Sequence, residues 1–167
     1  GKAVREIDPN KENILTAVNF GRGLPRALAA PGVSVASVGD ITNYGVLTGI
    51  DSTEKRSEAL DIFARMYAPL IGSGPVSDYL SQTGLDVLKG ADILKTAPQM
   101  YSSSVEYGGS PLAQWMKSVA QVHLANFGTR VFYTGVNPGT FDTHANQATT
   151  LPKLWADVST SISDFYE

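Results

Sequence analysis

The residues with the best-defined chemistry stand together at Phe141-Asp142-Thr143-His144-Ala145-Asn146-Gln147. A carboxylate and an imidazole two positions apart can face one ion if the backbone between them is extended or turned. Aspartate oxygen with histidine nitrogen suits zinc, and also manganese or iron. Asn146 and Gln147 could orient such ligands, and Pro138-Gly139 would bring the backbone close to the site. The same residue types are turn formers, and Asp142 or Thr143 could simply cap a following helix. Two ligands are also fewer than the three or four of a stable site. Read alone, the motif is more often turn or capping chemistry than a metal site; as a metal site it would be half of one, with Asp142 and His144 as its ligands.

Other groups offer less. His123 falls inside a helical stretch with no catalytic partner nearby in sequence, and reads as a packed or half-exposed helix residue. Gly21-Arg22-Gly23 and Gly72-Ser73-Gly74 look like anion loops. Both lack the Lys-Ser/Thr of a phosphate-binding loop and the dinucleotide spacing, so both read as turns. Ser102-Ser103-Ser104 has no flanking glycine elbow to raise a nucleophile. Tyr101, Tyr107 and Trp115 could form an aromatic binding surface, with core packing the better reading. The catalytic residues remain unassigned.

The elements that must position Asp142 and His144 are legible in outline. Thr129–Val136 is the strongest strand pattern, and the candidate loop follows it. A helix from Ser110-Pro111 to about Phe127-Gly128 precedes it, with proline in the first turn and glycine as the stop. Leu151–Tyr166 reads as a closing helix, with Leu154, Trp155, Val158, Ile162 and Phe165 at helical spacing. Upstream, Ile14–Phe20 reads as a buried strand ending at glycine, and Val33–Val38 alternates as a strand with one buried face. Leu24–Leu28 is a turn stopped by Pro31-Gly32.

A helix capped by Asp51 or Ser52 runs to Tyr67, with Ala59, Leu60, Ile62, Phe63, Met66 and Tyr67 on one face. A second helix, from Ser77 to Ala97, would turn Tyr79, Leu80, Leu85, Val87, Leu88, Ile93 and Leu94 inward, weakened by Gly84 and Gly90. Alternating strands and helices predict a single α/β domain over residues 1–167, layered around a largely parallel sheet. In such sheets ligands gather beyond the carboxyl ends of strands, where Asn137–Gln147 sits.

Composition excludes more than it selects. The chain has 167 residues, 43% hydrophobic and 17% charged, enough for one domain with a real core. A net charge of −3, with scattered Lys and Arg, argues against nucleic acid as a partner. No apolar stretch approaches the length of a membrane span, and the N-terminus lacks the regions of a signal peptide. The absence of cysteine removes disulfides and thiolate metal sites. Gly1 in place of Met, and no helix stop after the closing pattern, give the expectation of a piece of a longer protein.

Four segments together carry a family resemblance: Leu112-Ala113-Gln114, Gly128–Tyr133, Phe141–Gln147 and the closing Leu154–Tyr166, with a looser match at Leu24–Leu28 and Val33–Gly39. The chain resembles the bacterial domain-of-unknown-function family numbered fifteen hundred and one, of the alkaline phosphatase and sulfatase superfamily. The resemblance implies an α/β sandwich, here an incomplete alkaline-phosphatase-like domain. It further implies hydrolysis of phosphate or sulfate esters at a metal centre, with zinc or manganese as the ion, and export by the twin-arginine route. It places Asp142 and His144 where the family's Asp-Thr-His motif supplies metal ligands. The family's later Asp-His-Gly motif and its early glycine-rich strand end are not in this chain. The expectation is a fragment that would not catalyse alone. The rival expectation is a non-catalytic structural or binding protein on the same scaffold, and a carbohydrate- or peptide-binding domain using the aromatics comes last.

Overall fold

A computed structural model describes residues 1–10, 12–21, 23–30, 33–44, 50 and 52–167. Along the chain run α1 (Lys2–Ile7), β1 (Ala17–Phe20), β2 (Ala36–Val38), α2 (Thr53–Tyr67), α3 (Pro75–Leu94), α4 (Ala97–Met100), α5 (Pro111–Leu124), β3 (Val131–Thr134) and α6 (Gln147–Tyr166). A short 3-10 turn, Ala68–Leu70, follows α2. The strands form one parallel sheet in the order β2-β1-β3. The architecture is α/β, as its alternating strand and helix patterns predict.

The central strand is the most buried because it has neighbours on both sides and cover on both faces. All four residues of β1 are buried. Register sets Val18 between Ala36 and Phe132, and Asn19 between Ser37 and Tyr133. Successive side chains point to opposite faces. Val18, Phe20, Val38 and Phe132 therefore share one face, where they join Val119 and Val122 of α5, Ala125, and Phe165 of α6 in the main core. The opposite face carries a polar row. Asn19, 2% exposed, donates from Nδ2 to Gly23 O and to Ser37 Oγ, both at 2.8 Å. Its amide is thereby satisfied in the interior, as a buried polar group must be.

Several boundaries differ from the sequence expectation, each for a local reason. Strand one begins at Ala17 rather than Ile14. Leu15 N–H donates to Asn13 Oδ1 (2.8 Å) and Thr16 Oγ1 to Asp8 Oδ2 (2.8 Å), folding Asn13–Thr16 into a turn. Strand two shrinks to Ala36–Val38, because Val33 N–H turns back to Ala30 O. Its alternation does not become an exposed and a buried face: only Val38 is fully buried. The helix expected over Ser77–Ala97 starts at Pro75 and stops at Leu94, where Thr96 Oγ1 donates to Ile93 O at 2.7 Å.

Gly84 and Gly90 do not break α3; they let other parts approach it. A Cβ at Gly90 would stand 3.3 Å from Leu15 Cδ2, and one at Gly84 3.2 Å from the Tyr67 ring. The predicted inward faces are only partly inward, since Ile62, Met66, Leu80 and Ile93 are exposed. α1 carries no sequence signal strong enough to anticipate. Ser52 caps α2 by accepting from Lys55 N, while Asp51, Pro31-Gly32 and the side chains of Tyr79, Leu85 and Leu88 lie outside the described residues.

α5 ends at Leu124 instead of Phe127. Asn126 takes a left-handed conformation (φ 55°) and Gly128 follows at φ 75°. That pair of turns reverses the chain into β3, where Arg130 and Val131 N–H both donate to Thr16 O. No helix among the described residues is long and apolar enough to cross a membrane.

Candidate metal half-site beyond the third strand

The strand order β2-β1-β3 means the chain leaves the central strand toward one edge and later returns to the other. In parallel sheets the crevice forms at that reversal, outside the carboxyl ends of the two adjacent strands. Those ends are Gly21 and Gly23 after β1 and the loop from Gly135 to Asn146 after β3. Asp142 and His144 lie in that second loop.

The loop is built from short-range bonds. Gly139 takes φ 83°, a conformation that glycine adopts without strain. Thr140 N–H donates to Asn137 O at 3.1 Å and Asp142 N–H to Gly139 O at 3.0 Å. Thr140 Oγ1 adds a second bond to Asn137 O, at 2.7 Å. Phe141 then meets Trp155 of α6, with ring centroids 5.0 Å apart and planes inclined by 56°. Gln147 Nε2 donates to Thr143 O.

At the outer side of this loop, His144 Nε2 stands 2.9 Å from Asp142 Oδ1. The two side chains that the sequence singles out therefore do meet. Both face solvent, His144 87% and Asp142 71% exposed. An ion pair this exposed is worth little by itself. The donor set, one carboxylate and one imidazole, fits a borderline divalent cation. Among the described residues His144 Nδ1 and Asp142 Oδ2 carry no hydrogen bond, while Nε2 and Oδ1 engage each other. No third His, Asp or Glu joins them among the described residues. The geometry is that of an exposed carboxylate–imidazole pair on a loop beyond β3.

The simple capping alternative fails on position. α6 begins at Gln147, four residues earlier than Leu151, and its cap position is Asn146 in a left-handed conformation (φ 54°) with no side-chain cap bond. Asp142 and Thr143 are not at the helix start. Asn146 and Gln147 do not bond to either ligand; Gln147 instead holds the backbone between them.

The remaining candidates resolve into structure. His123 presents its ring edge-on to Phe132, centroids 6.2 Å apart. Gly72 and Gly74 (φ 91° and 142°) join the α2 and α3 segments, and Asp78 Oδ1 accepts from Gly72 N–H at 2.6 Å. A carboxylate already occupies the place an anion would take. Arg22 lies outside the described residues. Ser103 Oγ accepts from Val105 N–H at 3.0 Å in an exposed bend. Trp115 Nε1 donates to Gly39 O at 3.2 Å beside the core. Burial, then a hydrogen bond to Tyr101, pushes the Tyr107 hydroxyl up to about 12.

A small cavity bordered by Asp8, Asn13, Thr16 and Ser34 lies before β1 and β2, at the amino ends of those strands. The Asp8 carboxylate there accepts from Glu12 N, Asn13 N and Thr16 Oγ1, which makes it a turn anchor. Trp155 is the residue that sequence reasoning did not connect to the site; its only signal was an aromatic residue placed immediately before Asp142. Comparison with known proteins found no family model, no curated protein and no solved structure that matches this chain.

Proposed function

We propose that this chain belongs to a metal-dependent hydrolase of phosphate or sulfate esters, in which Asp142 and His144 hold a zinc or manganese ion. The observation that supports the reading is their meeting at 2.9 Å on a loop beyond β3, beside the reversal point of the sheet. Binding would require the imidazole to turn a ring nitrogen from the carboxylate toward the ion, with Asp142 supplying a second oxygen. When bound, the ion would supply Lewis-acid stabilisation of charge developing on the transferred group. The reading extends to family membership as suggested by the Asp-Thr-His segment, to an incomplete alkaline-phosphatase-like domain, and to export of the intact protein.

Two donors make a weak site. Isothermal titration of the chain with zinc or manganese is expected to show weak, saturable binding. Submicromolar affinity that His144→Ala abolishes would overturn the half-site reading.

The high exposure of both side chains favours one alternative, a non-catalytic structural or binding protein in which the pair is an ordinary surface contact. Elemental analysis of the intact, natively purified protein separates the two. A stoichiometric transition metal lost with Asp142→Asn supports the hydrolase; its absence supports the alternative.

A further inference from the structure

The segment Phe141–His144 alternates in burial. Phe141 and Thr143 are half-buried, while Asp142 and His144 are exposed. The two inward positions are the ones tethered to α6: Phe141 by its ring contact with Trp155, Thr143 by its carbonyl to Gln147 Nε2. With positions 141 and 143 held against the helix, Asp142 and His144 face outward and meet each other. Without such tethers, a loop of glycine, proline and polar residues has no apolar burial to hold one conformation.

We infer that Phe141 and Trp155 form an aromatic clasp whose role is to position Asp142 and His144 on one side of the loop, ready to share a cation. This rests on the metal reading above and adds two positioning residues to it. Trp155 sits eight residues into α6, so the clasp reaches past the first two turns of the helix. It couples the site loop to a helix that packs on the core through Phe165. Trp155 remains 60% exposed, so its ring covers Phe141 from the solvent side of the helix and its substitution leaves the core untouched.

The test uses the full chain, manganous ion as the probe, and proton NMR of the two histidine rings. His123 lies on α5 and serves as the internal reference. In the unsubstituted chain, manganese should broaden His144 well before His123. Phe141→Ala and Trp155→Ala should each weaken that response about tenfold, the lower range for groups that hold a metal ligand in place. Phe141→Tyr and Trp155→Phe, which keep a ring at each position, should restore it. The His123–Phe132 ring contact should keep its chemical shifts throughout, which shows that the fold is intact. Unchanged broadening of His144 in both alanine variants overturns the clasp and leaves the metal reading standing. Failure of manganese to select His144 in the unsubstituted chain overturns the metal reading, and the clasp's role with it.

Discussion

At the scale of single residues, burial and hydrogen bonding separate groups that hold the fold from groups free to act. Asn19 is a holding residue. Asn19→Ala removes the amide that joins Gly23 O and Ser37 Oγ and leaves a void in the covered face of β1. The expected cost is about 2–3 kcal/mol, read as a lower urea midpoint. His144 is the opposite case. His144→Ala should change stability by no more than about 0.5 kcal/mol, because its partner among the described residues is another exposed side chain. Tyr107 gives a pH signature. Its hydroxyl ionises near 12 in the folded chain against about 10 when unfolded. The folded state therefore keeps a proton that the unfolded state loses, and stability falls as pH rises from about 10 to 12. Phenolate absorbance should show a late-titrating component near pH 12 that is lost in Tyr107→Phe.

At the scale of elements, junctions matter more than helix interiors. The turn from α5 into β3 rests on Asn126 and Gly128 in left-handed conformations. A Cβ at Gly128 would stand 2.6 Å from Asn13 Nδ2, the group that donates to Phe127 O. Gly128→Ala is strained both by its φ and by that approach, and should cost about 1–2 kcal/mol in thermal or urea unfolding.

The strand and helix centres were legible because their patterns are periodic: Phe20, Val38 and Leu94 reach the core as expected. Boundaries were not legible, because they depend on contacts distant in sequence or on side-chain bonds. Asp8 reaching Thr16 shortens strand one, and Asn126 ends α5 before the glycine predicted to do so. Helical spacing also overstated burial. Ile62, Met66 and Ile162 have the right spacing but remain exposed, since spacing says which residues share a face and not what covers it.

For the whole molecule, three short parallel strands with helices make a small α/β core, and the loop after the carboxyl end of β3 carries the chemically distinctive residues. The types and spacing of Asp142 and His144 were visible in the sequence, and so was their place after a strand. Their contact was not, nor was the support from Trp155, because it required knowing that α6 folds back beside the loop. Asp142 and His144 are the proposed metal donors. Calorimetric titration of the chain with zinc tests that claim. Weak, saturable heat that is lost in both His144→Ala and Asp142→Asn is the predicted result. Heat that persists unchanged in both variants would contradict it, as would the absence of any binding.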